Sequence, residues 1–115
     1  MACFASSDTV LEAVHAPFDL DLGVIDIDGQ DWWVWHDMTA YAPRVMLVEC
    51  TYRRPLDRVP DRDEPDRDKG GQVHQAGRDA IIELGEAKGY RAVAATPCNV
   101  LFVREDVIRE SDAGQ

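Results

Sequence analysis

The sequence predicts an α/β fold built on a partly parallel sheet, and three observations carry that prediction. Val24-Ile25-Asp26-Ile27-Asp28-Gly29 alternates β-branched apolar residues with carboxylates and ends in glycine. This is the pattern of a buried strand whose C-terminal end delivers acidic side chains to a crevice. A nearly all-apolar run, Val45-Met46-Leu47-Val48, follows a short helical stretch, and strand, helix, strand is a βαβ unit. Further on, two strand-like runs are separated only by Pro97-Cys98, a link too short for a parallel crossover, so they form an antiparallel hairpin.

Taken in order, Ser6-Ser7-Asp8 offers capping oxygens, and Val10, Leu11 and Val14 recur at helical spacing until Pro17, which predicts a short amphipathic helix over 9–15. The opening strand is expected over 22–27. Asp31 sits where a carboxylate favours a helix N-terminus, and Trp32, Trp35 and Met38 share one stripe of a helix over 32–38, with Trp33 off it and partly exposed. Such a stripe is core. The second strand is expected over 44–50. Residues 53–71 are rich in Pro, Asp and Arg and hold almost no apolar side chain besides Leu56 and Val59, so they read as a solvated, mobile loop, either a lid or an insertion. The best helix spans 75–88, with Ala80, Ile81, Leu84 and Ala87 as its buried stripe and Gly89 just past its end. Strands over 90–96 and 99–104 follow, and the polar residues from 105 on, 106–115 above all, read as a flexible, fraying tail.

At 115 residues the chain has room for one domain, 1–115. Its formal charge of −10 argues against nucleic acid or an anionic membrane surface as partner, because both reward a basic patch. The 53–69 stretch is neutral overall: Arg53, Arg54, Arg58, Arg62, Arg67 and Lys69 balance Asp57, Asp61, Asp63, Glu64, Asp66 and Asp68. The ordered remainder carries the whole negative charge and would draw a cation. No basic region followed by an apolar one opens the chain and no apolar run is long enough to span a bilayer, so a cytoplasmic location is expected. Cys3, Cys50 and Cys98 are odd in number with no Cys-x-x-Cys spacing, and reduced thiols are expected, Cys50 and Cys98 partly buried.

The chemistry resides in the acidic strand. Asp26 and Asp28 share one face of a strand, and Glu49 ends the neighbouring parallel strand. Carboxylates converging at the C-terminal edge of an α/β sheet hold a hard divalent cation such as Mg²⁺, or raise one another's pKa for acid–base work. The competing structural account is that Asp28 caps the next helix while Asp26 is hydrogen-bonded locally.

The order of these pieces resembles the second half of FkbM-like, S-adenosylmethionine-dependent methyltransferases. The resemblance rests on Thr9-Val10-Leu11-Glu12, Asp19-Leu20-Asp21-Leu22 and, most specifically, Ile25-Asp26-Ile27-Asp28-Gly29-Gln30-Asp31-Trp32-Trp33-Val34-Trp35. The strand 43–49 and the hairpin from Gly89-Tyr90-Arg91 to Phe102-Val103-Arg104 fit in the same order, so the likeness covers about residues 9–106. It is closest to an uncharacterised bacterial branch with an Ile-Asp-Ile-Asp-Gly-x-Asp-x-Trp-Val-Trp motif. The resemblance implies a Rossmann-like, class I methyltransferase sheet of which this chain holds the last four strands, in order 4-5-7-6 with the last strand antiparallel. It further implies O-methyl transfer to a small molecule or sugar, with S-adenosylmethionine as cofactor. Asp26 and Asp28 would lie at the catalytic site, Asp26, Asp28 and Glu49 would bind Mg²⁺, and Asp31 and Trp32 would meet the substrate. The family's glycine-rich loop after strand 1 and acidic residue after strand 2 have no counterpart, since Gly70-Gly71 follows no strand, so the chain alone is not expected to bind the cofactor.

Two rival readings accompany this one. Hydrophobic-Asp-x-Asp-Gly also opens phosphatases of the haloacid dehalogenase type, with Asp26 as nucleophile and Asp28 as general acid–base, although Gln30 stands where that family has Thr or Val. The other rival is a non-catalytic domain that associates with a partner. With strands 1 to 3 lacking, the apolar edge of the 22–27 strand is unpaired, and self-association or a partner chain is expected there.

Overall fold

The computed structural model describes residues 7–17, 19–26, 30–62 and 75–113. They form α1 (Ser7–Ala13), β1 (Leu22–Ile25), α2 (Asp31–Asp37), β2 (Val45–Glu49), α3 (Arg78–Ala87), β3 (Tyr90–Ala95), β4 (Asn99–Arg104) and α4 (Glu105–Ala113). The fold class is α/β, with a four-stranded mixed sheet in the order β1-β2-β4-β3. β1 runs parallel to β2, while β4 is antiparallel to both of its neighbours.

Alternation along the strands decides which face is buried. Ile25, Met46, Val48, Val100 and Phe102 all point to one side, and Trp35 and Met38 from α2 with Ile81 and Leu84 from α3 close over them. Trp35 is fully buried, its ring centroid 4.9 Å from that of Phe102 and 5.4 Å from that of Tyr90. Three rings at these tilted and edge-on geometries add about 0.5–1.5 kcal/mol per pair beyond the area they bury. The tight approach of α3 depends on Gly85, because a Cβ there would drive into the Phe102 ring and lie 2.9 Å from Trp35 Cη2. Helix α3 then stops at Gly89, whose φ of 91° lies in the left-handed region open to glycine.

Residues 53–62 form a largely exposed loop, as expected, but one whose backbone is engaged with the rest of the fold. Their backbone caps α3: the N–H groups of Asp79 and Ala80 both donate to the Leu56 carbonyl, at 2.9 and 3.2 Å, Gly77 N–H donates to Arg58 O and Arg78 N–H to Thr51 O. These are the donors a helix start leaves without internal partners. Pro60 is fully buried, and its carbonyl accepts from Trp33 Nε1 at 2.7 Å. Arg62 covers the Trp33 ring at 4.1 Å and pairs with Asp37 at 2.6 Å. The remainder of the expected loop, 63–71, lies outside the described residues.

The end of the chain is a second correction. The expected fraying tail is helical from Glu105 to Ala113. Glu105 and Asp106 occupy the first turn, where the helix dipole favours negative charge, and both are gripped by strand arginines: Arg91 holds Glu105 at 3.0 and 3.1 Å, and Arg104 holds Asp106 at 2.6 and 3.0 Å. Val107 and Ile108 are half-buried. At the other end of the chain, Asp8 Oδ2 accepts from Thr39 N–H, Thr39 Oγ1 and Ala40 N–H, so its carboxylate ties α1 to the residues after α2.

Candidate functional site

Parallel pairing places Ile25 beside Val48, so the next residues, Asp26 and Glu49, leave the same edge of the sheet together. Asp31 opens α2 at that edge. Carboxylate oxygens of Asp26, Asp31 and Glu49 all lie within 4.8 Å of one another. Their surroundings differ: Asp26 is exposed, Glu49 half-buried and Asp31 fully buried.

A fully buried glutamine organises the group. Gln75 Nε2 donates to Asp31 Oδ1 at 2.8 Å and to Glu49 Oε1 at 2.8 Å, while its Oε1 accepts the Ala76 N–H at 3.0 Å. The backbone donor fixes which way the amide points, so its NH₂ faces the carboxylates. Burial pushes the Glu49 carboxyl up to about 8, helped by a hydrogen bond with Asp26 and by the negative charges of Asp26 and Asp31, against the Gln75 hydrogen bond that lowers it. Two carboxylates can hydrogen-bond each other only through a proton, and burial beside Asp26 and Asp31 keeps that proton on Glu49 to a higher pH than an ordinary glutamate holds one.

Chemically, the site holds and releases a proton near neutral pH. The three carboxylates, from three segments, are also grouped closely enough to hold a metal ion, and a cation entering here would displace the shared proton. S-adenosylmethionine does not fit the described residues alone. The sequence has no glycine-rich run after a strand, and the α3 N-terminus, which elsewhere would cradle an anionic or polar ligand, spends its N–H groups on residues 51–58.

Of the residues singled out from the sequence, Asp26 and Glu49 are brought together, and Asp28 lies outside the described residues. Asp31 was expected to meet substrate, yet it is fully buried and takes the Gln75 amide, which makes it the third carboxylate of the cluster. Trp32 is half-buried and donates its indole N–H to Ala80 O at 3.2 Å, a bond that joins α2 to α3. Gln75, expected as the first residue of the helix over 75–88, lies ahead of α3, which begins at Arg78, and its role at the site has no signal in the sequence. It follows a polar stretch and shows no periodicity, whereas Asp31 had a usable signal in its position immediately after the acidic strand.

No protein-family profile, curated protein or solved structure matches the chain. The class defined by fold and site together is an α/β domain with carboxylates gathered at the C-terminal ends of two parallel strands. No described helix is long and apolar enough to cross a membrane.

Proposed function

We propose that this chain forms the strand 4 to strand 7 portion of a class I methyltransferase-type sheet and carries the acidic, acceptor-facing side of its reaction site. The observation that supports this most is topological: two parallel strands, β1 and β2, then a β3–β4 hairpin whose second strand inserts antiparallel between β2 and β3. In the proposed frame this is the order 4-5-7-6, and the acidic groups fall at the carboxyl ends of strands 4 and 5, where α/β sheets bind ligands.

The acceptor in this reading is a small molecule bearing a hydroxyl. Below about pH 8 Glu49 keeps its proton, so exposed Asp26 is the carboxylate that faces the acceptor and takes its proton, while Glu49 stabilises Asp26 by the hydrogen bond. Gln75 holds Glu49 and Asp31 in place. In the metal-bound state, Mg²⁺ would take the place of the proton shared by Glu49 and Asp26, would be held by Asp26, Asp31 and Glu49, and would polarise the acceptor oxygen. Because the described residues do not fit the methyl donor alone, its binding is assigned to the strands that would continue the sheet past β1. That edge of β1 has no partner among the described residues, and Leu22 and Val24 are 58% and 57% exposed beside it, the condition under which edge strands recruit another strand.

Calorimetric titration of the 115-residue chain with S-adenosylmethionine and with Mg²⁺ tests the proposal. The expected result is heat from Mg²⁺ that Asp26→Asn abolishes, and none from S-adenosylmethionine. Micromolar binding of S-adenosylmethionine by this chain would contradict the half-site. Hydrolysis of an aryl phosphate that Asp26→Asn abolishes would replace the reading with the phosphatase one. Sedimentation at tens of micromolar is expected to show self-association through β1, and a stable monomer would count against the open edge.

A further inference from the structure

At the far end of β2 from Arg44, a thiol pair lies outside the acidic site. Cys50 follows Glu49, and its N–H donates to the Cys98 carbonyl at 2.8 Å, which continues by one residue the antiparallel register that pairs Glu49 with Asn99. Residues facing each other across antiparallel strands have Cα atoms about 4.5–5.5 Å apart, inside the roughly 4.4–6.8 Å range that a disulfide spans. Cys50 Sγ lies 3.9 Å from the Pro97 carbonyl oxygen, on the peptide that leads into Cys98. Cys50 is fully buried and Cys98 half-buried, both as free thiols. Tyr52, Arg78, Ala95, Thr96 and Pro97, the last of them next to Cys98 in the chain, line an open hollow, and Cys98 itself is only half-buried, so a small oxidant can reach its sulfur from solvent.

We propose that Cys50 and Cys98 are a reversible oxidation site that a hydroperoxide converts to an intrachain disulfide between β2 and the β3–β4 hairpin. Cys98, the accessible partner, reacts first. Its thiolate sulfur attacks the peroxide, an S–O bond forms as the O–O bond breaks, and the departing oxide takes a proton, leaving Cys98 as the sulfenic acid. The Cys50 sulfur then attacks the Cys98 sulfur, the S–S bond forms as the S–O bond breaks, and water leaves with the Cys50 proton. The thiol pair loses two electrons and the peroxide gains them. Cys50 is fully buried while Cys98 keeps part of its surface in solvent, which makes Cys98 the sulfur that meets the oxidant and Cys50 the one that resolves it. The new bond would fasten the end of β2 that carries Glu49 to the hairpin.

The test uses the full chain with Cys3→Ser, so that only these two thiols remain. Native protein is treated with hydrogen peroxide and mapped by mass spectrometry, with and without dithiothreitol. The expected result is loss of both free thiols in the monomer and one peptide joining Cys50 to Cys98, reversed by dithiothreitol. In Cys50→Ser the Cys98 sulfenic acid should persist and be trapped by dimedone. The proposal is overturned if Cys98 in the parent accumulates as a dimedone-trapped sulfenic acid with Cys50 still free, or if the only disulfide formed joins two chains.

Discussion

Replacing Glu49 by glutamine should abolish most of the pH dependence of stability between pH 5 and pH 8. The folded protein holds the Glu49 proton up to about 8, whereas the ordinary value is 4.5. Across that window the folded state binds more protons than the unfolded chain, so stability is fully present below pH 4.5 and is lost as pH rises through 8. The slope reaches at most about 1.4 kcal/mol per pH unit. Glu49 retains part of its surface in water, and screening brings the total to about 2 kcal/mol. Glutamine mimics the protonated acid, since its NH₂ can donate to Asp26 and its carbonyl can accept from Gln75, but it has no proton to lose. Urea unfolding at pH 5, 6, 7 and 8 should therefore show a midpoint that falls with pH in the parent chain and stays level in Glu49→Gln. The other shifted carboxyls, Asp8, Asp37 and Asp106, all lie below their ordinary 3.8 and do not titrate in this window. If the midpoints of parent and variant decline in parallel, the shared proton is not at Glu49 and the argument fails.

Gly85→Ala should destabilise by about 1–2 kcal/mol in denaturant unfolding. Alanine gains roughly 1 kcal/mol of helix propensity, but its Cβ meets Phe102 and Trp35, both fully buried, and overpacking of this kind costs about 1–3 kcal/mol; a more stable variant would show that the ring cluster has slack. Gln75→Leu removes the donor shared by Asp31 and Glu49 and should cost about 2–3 kcal/mol, while Glu49 titrates higher still in carboxyl NMR; a loss under about 0.5 kcal/mol would remove Gln75 from the organisation of the site. Glu105→Gln with Asp106→Asn should fray α4, seen as lost amide protection over 105–113, because both the dipole term and the Arg91 and Arg104 pairs weaken; unchanged protection would mean that Val107 and Ile108 alone hold the helix.

What could be read from the sequence was whatever apolar periodicity encodes. The Ala80, Ile81, Leu84 and Ala87 stripe with Gly89 behind it marks α3, although Ala87 is exposed and only the other three are buried; the unbroken Val45–Val48 run marks β2, and the short Pro97-Cys98 link marks the hairpin. The parts that were not legible depend on partners distant in the chain. Residues 53–62 look like solvent loop because their stabilising groups are backbone carbonyls, which have no side-chain signature, turned onto the start of α3. Helix α4 is polar by composition and is stabilised by arginines on strands that precede it. At the site, Asp26 and Glu49 could be paired from strand ends alone, since parallel register delivers both to one edge. That Asp31 is a buried member of the same cluster depends on Gln75, 44 residues away, and no local pattern announces that contact.

The carboxyl of Glu49, followed by carbon-13 NMR from pH 4 to pH 10 with and without Mg²⁺, tests the acidic site most directly. The expected midpoint is about 8 without the cation and lower with it, as the metal displaces the proton shared with Asp26. A midpoint near 4.5, unmoved by Mg²⁺, would contradict that expectation.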